Sequence, residues 1–179
     1  MKRTVSALCA AAAIGIAGAA EAQVNVTLPN SSQTTTMTAN VSEQADVTVP
    51  AAVTFTVNDI NVATAASSAS VDVSSIVLGT ATKQLKISLQ ANAANFTQPS
   101  GSATWAASAV SWNAATWTSA TGAAGTLSNS AFNTVATCAA DASGCSTSNL
   151  VFTLAANNSI VRSGNYQLVV TWKFESIGT

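Results

Sequence analysis

A chain of 179 residues without histidine lacks the commonest general base, proton shuttle and metal ligand. Its remaining reactive groups are sparse: 6 basic and 7 acidic side chains, and three cysteines. Serines are plentiful, but no imidazole can activate one, and no Gly-x-Ser-x-Gly elbow occurs. A Ser-Lys pair would need Lys83 or Lys86, and Lys86 falls at a solvent-facing strand position. Asp46, Asp59, Asp72 and Asp141 are isolated and form no dense acidic loop of the kind that wraps calcium, so they read as turn and surface residues. No two carboxylates lie close enough in sequence to suggest paired acid and base work. The expectation is a protein that is not an enzyme, with no catalytic residues, no metal and no cofactor.

Two groups of residues remain that can do something specific. Trp105, Trp112 and Trp117 lie in a stretch rich in Ser, Thr, Asn and Ala, where flat rings suit stacking on a sugar face. The opposing reading makes them aromatic anchors of a core, and their exposure decides between the two. Cys138 and Cys145 enclose Ala-Ala-Asp-Ala-Ser-Gly, a turn-forming run, and predict a local disulfide. Closing so short a loop stabilises by about 2–3 kcal/mol in the chain-entropy treatment. The spacing does not fit a Cys-x-x-Cys redox pair.

That disulfide needs an oxidising compartment, and the N-terminus predicts one. Lys2 and Arg3 precede an apolar run from Val5 to Ala20, and Ala20-Glu21-Ala22 fits a leader-peptidase site, giving a signal peptide over 1–22 and a mature start at Gln23. Cys9 leaves with the leader. The expected destination is the periplasm, the cell surface or the outside, with no membrane span after cleavage. The 157 residues left when 22 are removed from 179 suit one domain. Their four cations, Lys83, Lys86, Arg162 and Lys173, are scattered and make nucleic acid an unsuitable partner.

The elements that must position these residues read as strands. Tyr166, Leu168, Val170, Trp172 and Phe174 alternate with mostly polar neighbours, a period of two that predicts a core strand of about eleven residues after the Ser163-Gly164 turn. Leu85, Ile87 and Leu89 alternate with Lys86, Ser88 and Gln90, and Val53, Phe55 and Val57 with Thr54 and Thr56. Leu150, Phe152 and Leu154 form another run, and Val71 to Leu78 a strand or bulged pair of strands. The alanine clusters at 63–69 and 103–109 lack capping signatures and read as loops or short strands. Seven or more strands without a long helix predict an all-β, Ig-like antiparallel sandwich over 45–179. Ahead of it, residues 23–44 form a polar arm with two weak alternations, Val24, Val26 and Leu28, then Met37, Ala39 and Val41.

Thr34-Thr35-Thr36-Met37-Thr38-Ala39-Asn40-Val41, Ala45-Asp46-Val47-Thr48-Val49 and the closing Gly164-Asn165-Tyr166-Gln167-Leu168-Val169-Val170-Thr171-Trp172-Lys173-Phe174 together resemble the two ends of spore coat protein U-like and archaic chaperone-usher pilin subunits. Where that group usually carries a cysteine after the donor segment, this chain has Asp46. The resemblance implies an incomplete Ig-like domain whose missing strand is supplied by the arm of another subunit, with the two alternating rows of the arm as candidate donor strands. It also implies subunits of the same fibre or homo-oligomer as partners, and a periplasmic chaperone. The leading expectation is therefore a secreted fimbria-like or coat-like structural subunit joined head-to-tail by β-strand addition. The alternative is a secreted adhesin or carbohydrate-binding sandwich with a glycan as partner.

Overall fold

The computed structural model describes residues 27–29 and 34–178. The expected signal peptide and the donor candidates Val24 and Val26 lie outside them. Residues 27–29 and 34–39 belong to a separate unit, are exposed and enter no strand, whereas Asn40–Thr179 forms a compact unit of its own.

Regular structure in the compact unit is extended: β1 (Gln44–Thr48), β2 (Thr64–Ala65), β3 (Ala69–Val77), β4 (Gln84–Ala91), β5 (Val110–Trp112), β6 (Ala120–Gly122), β7 (Gly125–Thr126), β8 (Asn133–Cys138), β9 (Cys145–Leu150), β10 (Phe152–Leu154) and β11 (Val170–Ile177). A single 3-10 turn at Ala107–Ala109 is the one helical element among the described residues. The strands pair antiparallel in three sheets, ordered β1-β3-β9, β2-β10-β5-β7 and β11-β4-β8-β6. The all-β class expected from the alternation is the class observed.

The distribution over three sheets has a local cause, because two segments serve two sheets each. The run Leu150, Phe152, Leu154, expected as one strand, breaks at Val151: Leu150 ends β9 in the first sheet and Phe152 opens β10 in the second. The Asn113 side-chain oxygen accepts the Val151 N–H at 2.8 Å, replacing the ladder bond lost at the switch. Similarly, Thr118 bridges Ser146 of β9, Ser119 turns through a φ of 54°, and Ala120–Gly122 then pairs with β8 in the third sheet. The Cys138–Cys145 disulfide closes this corner, joining the end of β8 to the start of β9.

The core gathers Val71 and Val73 of β3, Leu85, Ile87 and Leu89 of β4, Val135 of β8, Leu150, Phe152 and Leu154. Each such side chain, fully buried, contributes about 1.5–3 kcal/mol of hydrophobic stabilisation. β4 lies between β11 and β8, and its pairing with β8 is irregular between Ile87 and Ser88: Ser88, expected outward, is fully buried and its hydroxyl has no partner among the described residues. It stands opposite Lys173, whose Nζ is 5.2 Å from the Phe132 ring centre and 2.6 Å from Glu175.

Two strand expectations are corrected. Val53, Phe55 and Val57 belong to no ladder, although Phe55 and Val57 are half-buried between exposed threonines. Pro50, which has no N–H to donate, follows closely on the end of β1 at Thr48, and the chain runs on unpaired. The C-terminal strand begins at Val170 and not near Asn165. Beyond Val170 the partner strand ends at Ala91, and the next bridge, Gln167 with Thr97, is displaced from the β11–β4 register.

Candidate functional site

β11 is an edge strand. Its ladder with β4 runs without interruption from Val170 opposite Ala91 to Ile177 opposite Gln84. The Asn92 N–H donates to the Val169 carbonyl at 2.9 Å, which fixes the phase of the alternation. Odd-numbered residues therefore turn their backbone groups toward β4, and Leu168, Val170, Trp172, Phe174 and Ser176 turn theirs outward to an edge that no described strand occupies. The same five side chains share one face, so the free N–H and C=O groups belong to the residues of the apolar row.

That row faces the core, as its alternation predicts, but it is not buried within it. Tyr166, Leu168, Trp172 and Phe174 are half-buried, and Val170 is 36% exposed. An edge strand has a neighbour on one side only, which leaves its inward row uncovered along the other. Phe55, Val57 and Ile60, packed against the same core, are also half-buried, and their segment carries no ladder. Unpaired backbone and partly wet apolar side chains thus coincide along β11, an arrangement able to accept an extended peptide by main-chain bonding and side-chain insertion.

One end of this edge is tied by a carboxylate that the sequence reading did not single out. Glu43 Oε1 accepts the Lys83 ammonium at 2.7 Å and the Gly79 N–H at 2.7 Å, and Ser176 also hydrogen-bonds the carboxylate. The Lys83 hydrogen bond is the main cause holding the Glu43 carboxyl below the usual glutamate range, with the Gly79 N–H next. Glu43 immediately precedes β1, so this clamp holds the start of β1 beside Ser176, the last outward residue of β11. On the solvent face, Glu175 is likewise held below the usual range by Lys173 first and Lys86 second.

Of the candidate donor residues that are described, Leu28 is 80%, Met37 93% and Val41 75% exposed, and Ala39 is exposed. Residues 34–43 enter no strand. The tryptophans expected as stacking surfaces are corrected: Trp105, Trp112 and Trp117 are 5%, 3% and 8% exposed, and offer no face to a sugar. Trp105 Nε1 donates to the Ala155 carbonyl at 2.8 Å and Trp112 Nε1 to the Ala123 carbonyl at 2.9 Å, while Trp117 Nε1 is buried without a partner. Trp105 stacks edgewise on Phe96 and Tyr166, and Trp112 on Phe152. These are the contacts of core anchors, for which the indole is large enough and amphipathic enough. Among the described residues no three His, Cys, Asp or Glu side chains form a group able to hold a metal, and no helix is long and apolar enough to cross a membrane.

Comparison with protein families, with curated proteins and with solved structures gives no match for this chain.

Proposed function

We propose that this protein is a secreted structural subunit of a surface assembly, an incomplete Ig-like sandwich whose open β11 edge receives an extended strand from a second copy. The observation that carries the reading is the coincidence, along Leu168 to Ser176, of outward backbone groups with a half-buried apolar row. An edge of that kind in a monomer is an aggregation hazard unless something covers it. The arm supplies a covering strand of suitable chemistry: a threonine-rich segment with Met37, Ala39 and Val41 at alternate positions, exposed and outside every sheet. Addition between copies is head-to-tail and does not close on itself, so it builds a fibre. The resemblance of the two chain ends to spore coat protein U-like and archaic chaperone-usher pilin subunits agrees with the same reading.

The test is expression of the full chain beside a form lacking residues 23–41. Negative-stain imaging is expected to show filaments for the full chain and none for the truncation, which instead aggregates or remains bound to a chaperone. Filaments formed normally by the truncated protein would remove the arm from the mechanism.

A further inference from the structure

A second feature, lined by no residue of β11, is not used by strand addition. In the β3–β9 ladder Ala69 pairs with Leu150 and Val71 with Thr147, so Ser148 and Asn149 together stand opposite the single residue Ser70. This is a bulge, and it opens a depression of about 350 Å³ between β3, β9 and the 116–118 segment. Thr147 fixes its wall, donating to the Thr116 carbonyl at 2.7 Å and accepting the Asn149 N–H at 3.1 Å. Around it stand the hydroxyls of Ser70, Thr118, Ser146 and Ser148, the Asp72 carboxylate and the Asn149 carboxamide. Among the described residues, none of these six side chains has a hydrogen-bond partner. Trp117 also lines the depression, and it is the indole whose buried N–H has no acceptor. Its pyrrole edge lies against Gly122, where a Cβ would come within 3.1 Å of Nε1.

The geometry points to a binding site for a neutral polyhydroxylated ligand, one pyranose ring of a glycan. The lining contains no lysine or arginine, and Asp72 repels anions, so phosphates and acidic sugars are unsuited to it. The apolar side chains of the lining are two, Val71 and Trp117, both buried, too few to hold a lipid chain. A carboxylate and a carboxamide beside several hydroxyls offer both acceptors and donors, the requirement of vicinal sugar hydroxyls. The volume lies at the lower end of the roughly 300–1,000 Å³ range of small-molecule sites, which suits a single ring. This site uses the polar groups beside one tryptophan, not the faces of three rings.

The test follows the tryptophan indole N–H and backbone amide resonances of ¹⁵N-labelled protein during titration with methyl α-mannopyranoside, methyl β-galactopyranoside, N-acetylglucosamine and cellotriose. The expected result is a saturable shift of the Trp117 indole resonance together with the amides of residues 70–72 and 146–149, with those of Trp105 and Trp112 stationary. Asp72→Asn and Asn149→Ala each weaken the shift-derived affinity about tenfold. The stationary Trp105 and Trp112 resonances report that both variants remain folded. Tighter binding of the trisaccharide assigns the site to a polymer, and equal binding assigns it to a single sugar; either supports the site. Absence of a saturable Trp117 shift with all four probes, or a shift undiminished in both variants, overturns it.

Discussion

Gly125 and Gly122 show how closely the indoles are packed. A Cβ at Gly125 would lie 2.5 Å from Trp112 Cζ2, and one at Gly122 would meet the Ala115 carbonyl oxygen and lie 2.8 Å from Trp117 Cδ1. Neither glycine has a positive φ among the backbone exceptions, so the demand is for space and not for conformation. Gly125→Ala is therefore expected to destabilise the domain by about 1–3 kcal/mol, the cost of overpacking a filled site. Urea unfolding followed by tryptophan fluorescence checks it, and an unchanged midpoint would mean that the ring shifts freely. The Gly122-Ala123-Ala124-Gly125 run was in the sequence, but its meaning was not, because a glycine that makes room for a ring and a glycine that makes a turn look alike until the ring is placed.

At the scale of elements, the disulfide and the open edge lead to separate expectations. Cys138–Cys145 joins the end of β8 to the start of β9 across the corner of two sheets. The Cys138→Ser/Cys145→Ser variant should lose about 2–3 kcal/mol, and thiol-reduced protein the same amount, measured as a lower denaturant midpoint. On β11, Phe174→Asp puts a charge in the row that an incoming strand must cover. It should abolish filament growth, scored by light scattering, while β4 and β8 keep the domain folded. How much of this was legible follows from coverage. Leu85, Ile87 and Leu89 could be read outright because all three face the core, but the irregularity at Ile87/Ser88, where Ser88 is buried, left no local signal. Tyr166 to Phe174 revealed the face but not the depth, since period two reports which side a residue takes and not whether a neighbour covers that side. Val53, Phe55 and Val57 have strand periodicity without a ladder, and Leu150 to Leu154 hides a change of sheet at Val151. Ladder partners are tertiary facts, and no local pattern encodes them.

For the molecule as a whole, the absence of histidine makes a sharp statement about pH. No side chain in the chain has an ordinary pKa between those of the carboxylates and the top of the physiological range, except a thiol when reduced. Glu43, Asp59 and Glu175 are held below their usual values in the folded state, by Lys83, by the Asn61 backbone N–H and by Lys173 respectively as first causes. A carboxyl with a depressed folded pKa contributes stability that is present above its unfolded pKa and lost as pH falls through the folded one. The denaturant midpoint should accordingly be flat from about pH 6 to 8 and decline only below about pH 4.5. A midpoint that moved between pH 6 and 8 would refute it.

The acid limb bears on assembly through Glu43, which stands between the arm and β1 and bonds Lys83, Gly79 and Ser176 at the end of the β11 edge. Which row of the arm acts as donor can be separated with peptides. A synthetic peptide of residues 34–43 offers Met37, Ala39 and Val41, and one of residues 23–30 offers Val24, Val26 and Leu28. Two large apolar side chains buried at about 1.5–3 kcal/mol each, with alanine adding less, suffice to discriminate a matched peptide from a charged one. The peptide 34–43 should cap growing ends and slow filament elongation, and the same peptide carrying Met37→Asp and Val41→Asp should need at least about a hundredfold higher concentration for the same effect. Inhibition by residues 23–30 alone would assign the donor row to the first alternation. Inhibition by neither would exclude strand addition as the joint between subunits.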